Sequence, residues 1–193
     1  MPPTGSGEAD VTRLALAARA GDREAATAFI RATVRDVHRF LSHLADANDV
    51  EDLSQETYLR AMRALSRFDA RSSARTWLLS IARRAAADHV RRATRRPRLA
   101  GHRSWEAVVE SHTDPATEAF DGEVLLRRLL RDLEPNRREA FVATQIVGLS
   151  YVEAADVCDC PVGTIRSRVA RAREDLVNAL RADDAGRGRE AAT

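Results

Sequence analysis

The stretch Gly148–Asp175, GLSYVEAADVCDCPVGTIRSRVARARED, leaves few folds open. Ser150 followed three residues later by Glu153 is a capping-box pattern, so a helix should start at Tyr151 and run to about Cys158. Pro161 suits the first position of a second helix, where its missing N–H costs nothing. In that second helix Ile165, Val169, Ala172 and Leu176 fall on one apolar stripe. The opposite face carries Gly163, Ser167, Ala170 and Arg171, flanked by Arg166, Arg168 and Arg173. Small residues let a helix approach a groove floor, and arginine at the flanks reaches phosphates or guanine edges. Two short helices with the second one basic form the layout of a helix-turn-helix with its recognition helix second.

The remaining composition suits helices. Apolar residues make up 44% of the 193 positions and aromatics only 5%, with alanine abundant; Leu, Val, Ile and Ala then have to build the core. The formal charge is only +2, from 31 basic and 29 acidic residues. The argument for nucleic acid therefore rests on where the charge lies, not on its sum. Every basic residue is arginine, as a GC-rich genome would produce. There is no apolar run long enough to cross a membrane, and MPPTGSGEAD is not a signal peptide. Cys158 and Cys160 are the only cysteines, and C-x-C with His38, His43, His89, His102 and His112 scattered elsewhere does not make a metal site. Cys158 is expected in the core of the first motif helix and Cys160 at the turn, both as reduced thiols.

Taken in order, residues 1–9 are expected to be disordered, and Asp10–Ala20 a short helix ended by Gly21. Asp22 caps the next helix, Arg23 to about Leu44, whose stripe Phe29, Val34, Val37, Phe40, Leu41 and Leu44 faces a core. An acidic cluster follows: Asp46, Asn48, Asp49, Glu51, Asp52 and Glu56. The helix DLSQETYLRAMRAL should bury Leu53, Thr57 or Tyr58, Met62 and Leu65 while presenting Asp52, Gln55 and Glu56. Acid suits a helix N-terminus, but the cluster as a whole repels itself unless a basic partner is near. Phe68–Ser73 is a polar loop. A long helix from Ala74 to about Ala93 buries Trp77, Leu78, Ile81, Ala82, Ala85 and His89. Its far end is intensely basic: Arg83, Arg84, Arg91, Arg92, Arg95, Arg96, Arg98 and Arg103 against Asp88. Capping does not need that many cations, so a phosphate-contacting surface is the better reading. Residues 97–120 read as a linker, with Trp105, Val108 and Val109 as a short docking segment. A helix from Asp121 stops at Pro135. Asn136–Val147 is another, burying Ala140, Phe141, Thr144 and Val147, and the tail after Leu180 frays.

Three stretches now resemble one family. DLSQETYLRA (Asp52–Ala61) and FDARSSARTWLLSIARRAAADHVRR (Phe68–Arg92) resemble sigma region 2, and GLSYVEAADVCDCPVGTIRSRVARARE resembles sigma region 4. Their order resembles sigma-70 family factors of the extracytoplasmic-function type, and within them the actinobacterial sigma-C-like group. The resemblance implies an all-α fold of two small helical domains: region 2 at 8–96 and region 4 at 121–182, joined by a flexible linker at 97–120, with a disordered tail at 183–193. It implies that Asp52, Leu53, Gln55 and Glu56 dock on the β′ clamp coiled coil of core RNA polymerase. Phe68, Asp69, Arg71 and Ser72 would take a flipped base of the −10 element, with Arg83, Arg84, Arg91 and Arg92 on the nearby backbone. Thr164, Arg166, Ser167, Arg168 and Arg171 would read the −35 element. The β flap, promoter DNA and an anti-sigma factor are the other implied partners. The chain would be a cytoplasmic monomer when free, with no membrane insertion and no cofactor or metal. It departs from the family pattern at Cys158 and Asp159, where an aliphatic residue and glycine are usual; Asp tolerates the left-handed backbone the turn needs.

Two other classes are weaker. A free-standing helix-turn-helix regulator leaves Asp52–Glu56 and the basic helix without a task. An enzyme would need a nucleophile–base pair, a metal set or a phosphate loop, and the sequence offers none.

Overall fold

The computed structural model describes residues 5–95 and 117–190, with side chains for 7–92 and 124–183. Eight helices make up this part: α1 (Gly5–Arg19), α2 (Arg23–Leu41), α3 (Val50–Ala64), α4 (Ala74–Arg95), α5 (Thr117–Asp132), α6 (Pro135–Phe141), α7 (Tyr151–Cys158) and α8 (Val162–Glu190). No strand occurs among the described residues.

Local chemistry explains most boundaries. Gly21 takes φ +100° to end α1, a conformation open to a residue without Cβ. The Asp22 carboxylate accepts from Glu24 N and Ala25 N at 2.9 and 3.0 Å and caps α2. The start of α4 is closed from two sides: Thr76 N donates to Ser73 Oγ at 3.1 Å, and Ala74 N donates to Thr12 Oγ1 of α1 at 3.0 Å. Ser150 and Glu153 form the expected capping box at α7. Asp159 sits at φ +51° after α7, so aspartate fills the place where glycine is usual. α8 starts one residue later than expected; the Pro161 carbonyl accepts from Thr164 N and Ile165 N at 2.8 and 3.2 Å.

Several boundaries and faces differ from the sequence reading. α1 begins at Gly5, α2 stops at Leu41, α5 begins at Thr117, and α8 runs to Glu190 through the expected tail. Val34 faces solvent, and Thr33 is buried in its place. The Thr33 hydroxyl satisfies itself on Phe29 O at 2.8 Å and Tyr58 Oη at 2.9 Å, which removes the cost of burying it. The expected helix 136–147 becomes a π-helical turn at Val142–Ile146. That change of register buries Val142 and Ala143 and leaves Phe141 and Thr144 half-exposed. Residues 97–116, with Trp105, Val108 and Val109, lie outside the described residues.

Both halves share one apolar core. Phe29, Phe40 and Leu41 of α2, Leu78 and Leu79 of α4, Leu130 of α5, Val157 of α7 and Ile165 and Val169 of α8 belong to a contiguous buried cluster. α7 packs directly on α4. The motif stripe Ile165, Val169, Ala172 and Leu176 is fully buried in this cluster.

Candidate nucleic-acid interface

Four surfaces carry the candidate residues. On α3 the buried register is Val50, Leu53, Ser54, Thr57 and Ala61. Asp52 and Gln55 therefore face solvent and Glu56 is partly exposed. Leu53 is only 5% exposed, so it supports this face from beneath and does not belong to it. Its place on the surface is taken by Leu59, 54% exposed, one turn on from Gln55 and Glu56. An apolar residue out of step with Leu53, Thr57 and Ala61 was the signal for it. Glu56 accepts from Arg60 Nε at 2.8 Å.

In the loop before α4, Phe68 is 2% exposed. Its ring lies 4.9 Å from that of Trp77, tilted by 41°, and its carbonyl accepts from Arg19 Nη1 at 2.7 Å. Phe68 thus anchors the loop and cannot stack on a base from this position. The loop's open groups are Asp69 and Arg71, paired at 2.7 Å, and the half-buried Ser72. Ala70 holds φ +57° between them, a conformation rare for a residue with a Cβ.

The basic end of α4 divides in two. Arg84, Asp88, Arg91 and Arg92 follow one another at helical spacing. Arg84 and Arg92 are exposed, and Arg91 donates to Asp88 Oδ1 at 2.6 Å. Asp88 also accepts from Arg60 Nη1 at 2.8 Å. Those bonds, Arg91 first and Arg60 second, hold the Asp88 carboxyl below the usual range. Arg83 points the other way. Its Nε donates to Glu139 of α6 at 2.6 Å, with the two side chains 20% and 16% exposed. Burial works against the Arg83 charge, but the Glu139 bond outweighs it and raises the pKa.

α8 presents Arg166, Ser167, Ala170 and Arg171 to solvent, with no ion pair for either arginine among the described residues. Thr164 is half-buried, and its carbonyl accepts from Ser167 Oγ at 3.0 Å. Arg168 is half-buried and reaches Cys160 Sγ at 3.5 Å, which places it against the turn and off the open face. Cys158 is buried as expected. Desolvation, with Glu139 adding to it, pushes its thiol up to about 12.

Among the described residues, polar contacts from three side chains of α4 join the halves besides the shared core. Arg75, buried in α4, donates to Asp36 of α2, to Glu8 of α1 at 3.4 Å and to Val147 O at 2.8 Å. Thr76 Oγ1 meets Glu153 at 3.5 Å. Arg83–Glu139 is the third.

Comparison with known proteins decides what these surfaces belong to. Residues 29–96 match the Sigma-70 region 2 family and residues 123–176 match Sigma-70, region 4. The ECF RNA polymerase sigma factor SigC of Mycobacterium tuberculosis is 48% identical over 184 residues, 95% of this chain and 98% of that protein. The chain belongs to the extracytoplasmic-function sigma factors. Two solved structures agree with this sigma factor in fold. CnrH, in complex with the cytosolic domain of CnrY, superposes with a TM-score of 0.71 at 27% identity, covering 90% of this chain and 99% of that one. RpoE of Bartonella quintana, in complex with the anti-sigma factor NepR, gives 0.61 at 26%, covering 80% and 95%. As a sigma factor the protein is a promoter-directing subunit of RNA polymerase, a family not known for catalysis. No helix among the described residues is long and apolar enough to cross a membrane, and no metal-ligating cluster occurs among them.

Proposed function

We propose a division of labour between the surfaces of this sigma factor. Asp52, Gln55 and Glu56, with Leu59 at their centre, dock on the basic clamp coiled coil of core polymerase. Asp69, Arg71 and Ser72 form the mouth of a pocket for a flipped −10 base, with Arg84, Arg91 and Arg92 on the neighbouring backbone. Unstacking that base costs a few kcal/mol, so the held loop and the cations beside it have a clear task. Arg166, Ser167 and Arg171 enter the major groove at −35, with Thr164 at the helix start, while region 4 rests on the β flap. The working units are 8–96 and 121–182. The factor acts in the cytoplasm, is monomeric when free and carries no catalytic group or metal. An anti-sigma partner is in keeping with the relatives solved with CnrY and NepR.

The observation that supports this reading best is the opposite charge of two outward faces on one body, acidic on α3 and basic on α8. A plain DNA-binding regulator has no use for the first. The test is capture of core polymerase by the wild type and by Asp52→Arg with Glu56→Arg. The double variant is expected to lose core binding. Retained binding would refute the docking face. Arg171→Ala should cost about 1–3 kcal/mol at the −35 element while leaving core binding intact; equal loss on every sequence would make Arg171 a phosphate contact.

A further inference from the structure

The acidic docking face and the basic DNA face of region 2 are joined by a chain of ion pairs. Glu56 accepts from Arg60 Nε at 2.8 Å, Asp88 accepts from Arg60 Nη1 at 2.8 Å, and Arg91 Nη2 donates to the other Asp88 oxygen at 2.6 Å. Glu56 and Arg60 sit on α3, Asp88 and Arg91 on α4. Asp88 lies within the Arg84–Arg91–Arg92 stripe, where an uncompensated carboxylate would repel phosphate. Two arginines compensate it, and one of these is shared with the polymerase-facing helix. The planar guanidinium of Arg60 can bridge two carboxylates because its donors form a rigid fork.

We propose that Arg60 is a positioning residue that couples polymerase docking to DNA binding. In the free factor, Arg60 divides itself between Glu56 and Asp88, and Asp88 keeps hold of Arg91. A cation of polymerase that takes Glu56 leaves Arg60 wholly to Asp88. Asp88 then needs Arg91 less, and Arg91 turns to the DNA backbone. The coupling is reciprocal, so DNA on Arg91 strengthens the docking of Glu56 by the same factor. Every link is partly exposed, with Arg60 at 26% and Glu56 at 41%. Each pair is therefore in the range of about 0.2–1 kcal/mol, and the coupling is about 1.4- to 5-fold. This inference rests on the reading of α4 as the −10 backbone surface.

The test uses the full-length factor without polymerase and a single-stranded −10 oligonucleotide. Glu56→Gln stands in for a Glu56 already taken by its partner. It is expected to raise oligonucleotide affinity about 1.4- to 5-fold. Glu51→Gln removes the same charge from the same helix without touching Arg60, since Glu51 accepts from Gln55 at 3.2 Å and has no contact with Arg60 among the described residues, and is expected to have a smaller effect. The gain from Glu56→Gln should vanish in an Arg60→Met background, a coupling that general destabilisation does not produce. Arg60→Gln serves if Arg60→Met folds poorly, because a neutral amide lacks the charge that Glu56 and Asp88 share. Equal gains from Glu51→Gln and Glu56→Gln, or a gain that survives Arg60→Met, would overturn the coupling. Arg91→Ala separates the two claims: reduced affinity keeps the α4 surface even if the coupling fails, and unchanged affinity overturns both.

Discussion

Glu139→Gln is the sharpest probe of how the two halves of this sigma factor hold together. Glu139 on α6 and Arg83 on α4 meet at 2.6 Å with side chains 16% and 20% exposed. The substitution keeps the shape and removes the charge. Breaking a buried pair on one side costs about 3–5 kcal/mol because it strands the other charge. Two features lower that here. Glutamine still offers one carbonyl to the guanidinium, and a side chain one-fifth exposed can shift toward water. A loss of about 2 kcal/mol remains, or about 30-fold in the equilibrium between packed and separated halves. The assay is energy transfer between a label on α3 and one on α8 during a urea titration. With a slope of about 2 kcal/mol per molar, the separation midpoint should fall by about 1 M. The reversed pair, Arg83→Glu with Glu139→Arg, should recover much of it. If Glu139→Gln leaves the midpoint within error while the label distance matches the wild type, the pair does not hold the halves and the reasoning fails.

Other consequences are simpler to check. Asp159→Gly relieves the φ +51° residue after α7; the melting temperature should hold or rise slightly, whereas Asp159→Val should lower it. Ser150→Ala removes the Ser150 side-chain half of the α7 capping box and should cost about 1 kcal/mol in chemical denaturation. The Cys158 thiol, pushed up to about 12 from 9.0, should resist alkylation at pH 8 while the half-buried Cys160 reacts. The same shift fixes a pH trend. The unfolded chain releases the Cys158 proton first, so its contribution is fully present below about pH 9 and is lost as pH rises toward 12. The fall above pH 9 should be absent in Cys158→Ala, and a wild-type denaturation series without it would contradict the trend.

The motif was legible because its signals are local. Ser150, Glu153 and Asp159 act on atoms a few residues away, and the Ile165–Leu176 stripe needs only helical periodicity. The outward acid of α3 was legible for the same reason. The failures share a different cause. Thr33 is buried because Tyr58 meets its hydroxyl, a partner 25 residues away. Arg75 reads as an ordinary helix residue, yet it is buried because Asp36, Glu8 and Val147 converge on it from 39, 67 and 72 residues away. Arg83 looked like one more cation of a basic helix end; only the packing of α6 on α4 sets it apart from Arg84. Leu53 and Phe68 were placed on working surfaces through resemblance, and burial assigns them to the support beneath.

The core shared by the halves makes their separation a thermal event. Parting α4 from α7 brings apolar surface into water, and such contact weakens on cooling. The charged contact between Arg83 and Glu139 moves in the same direction, because the cost of keeping ions out of water falls as temperature rises. Warming therefore tightens the packed form by both routes, and cooling loosens it by both.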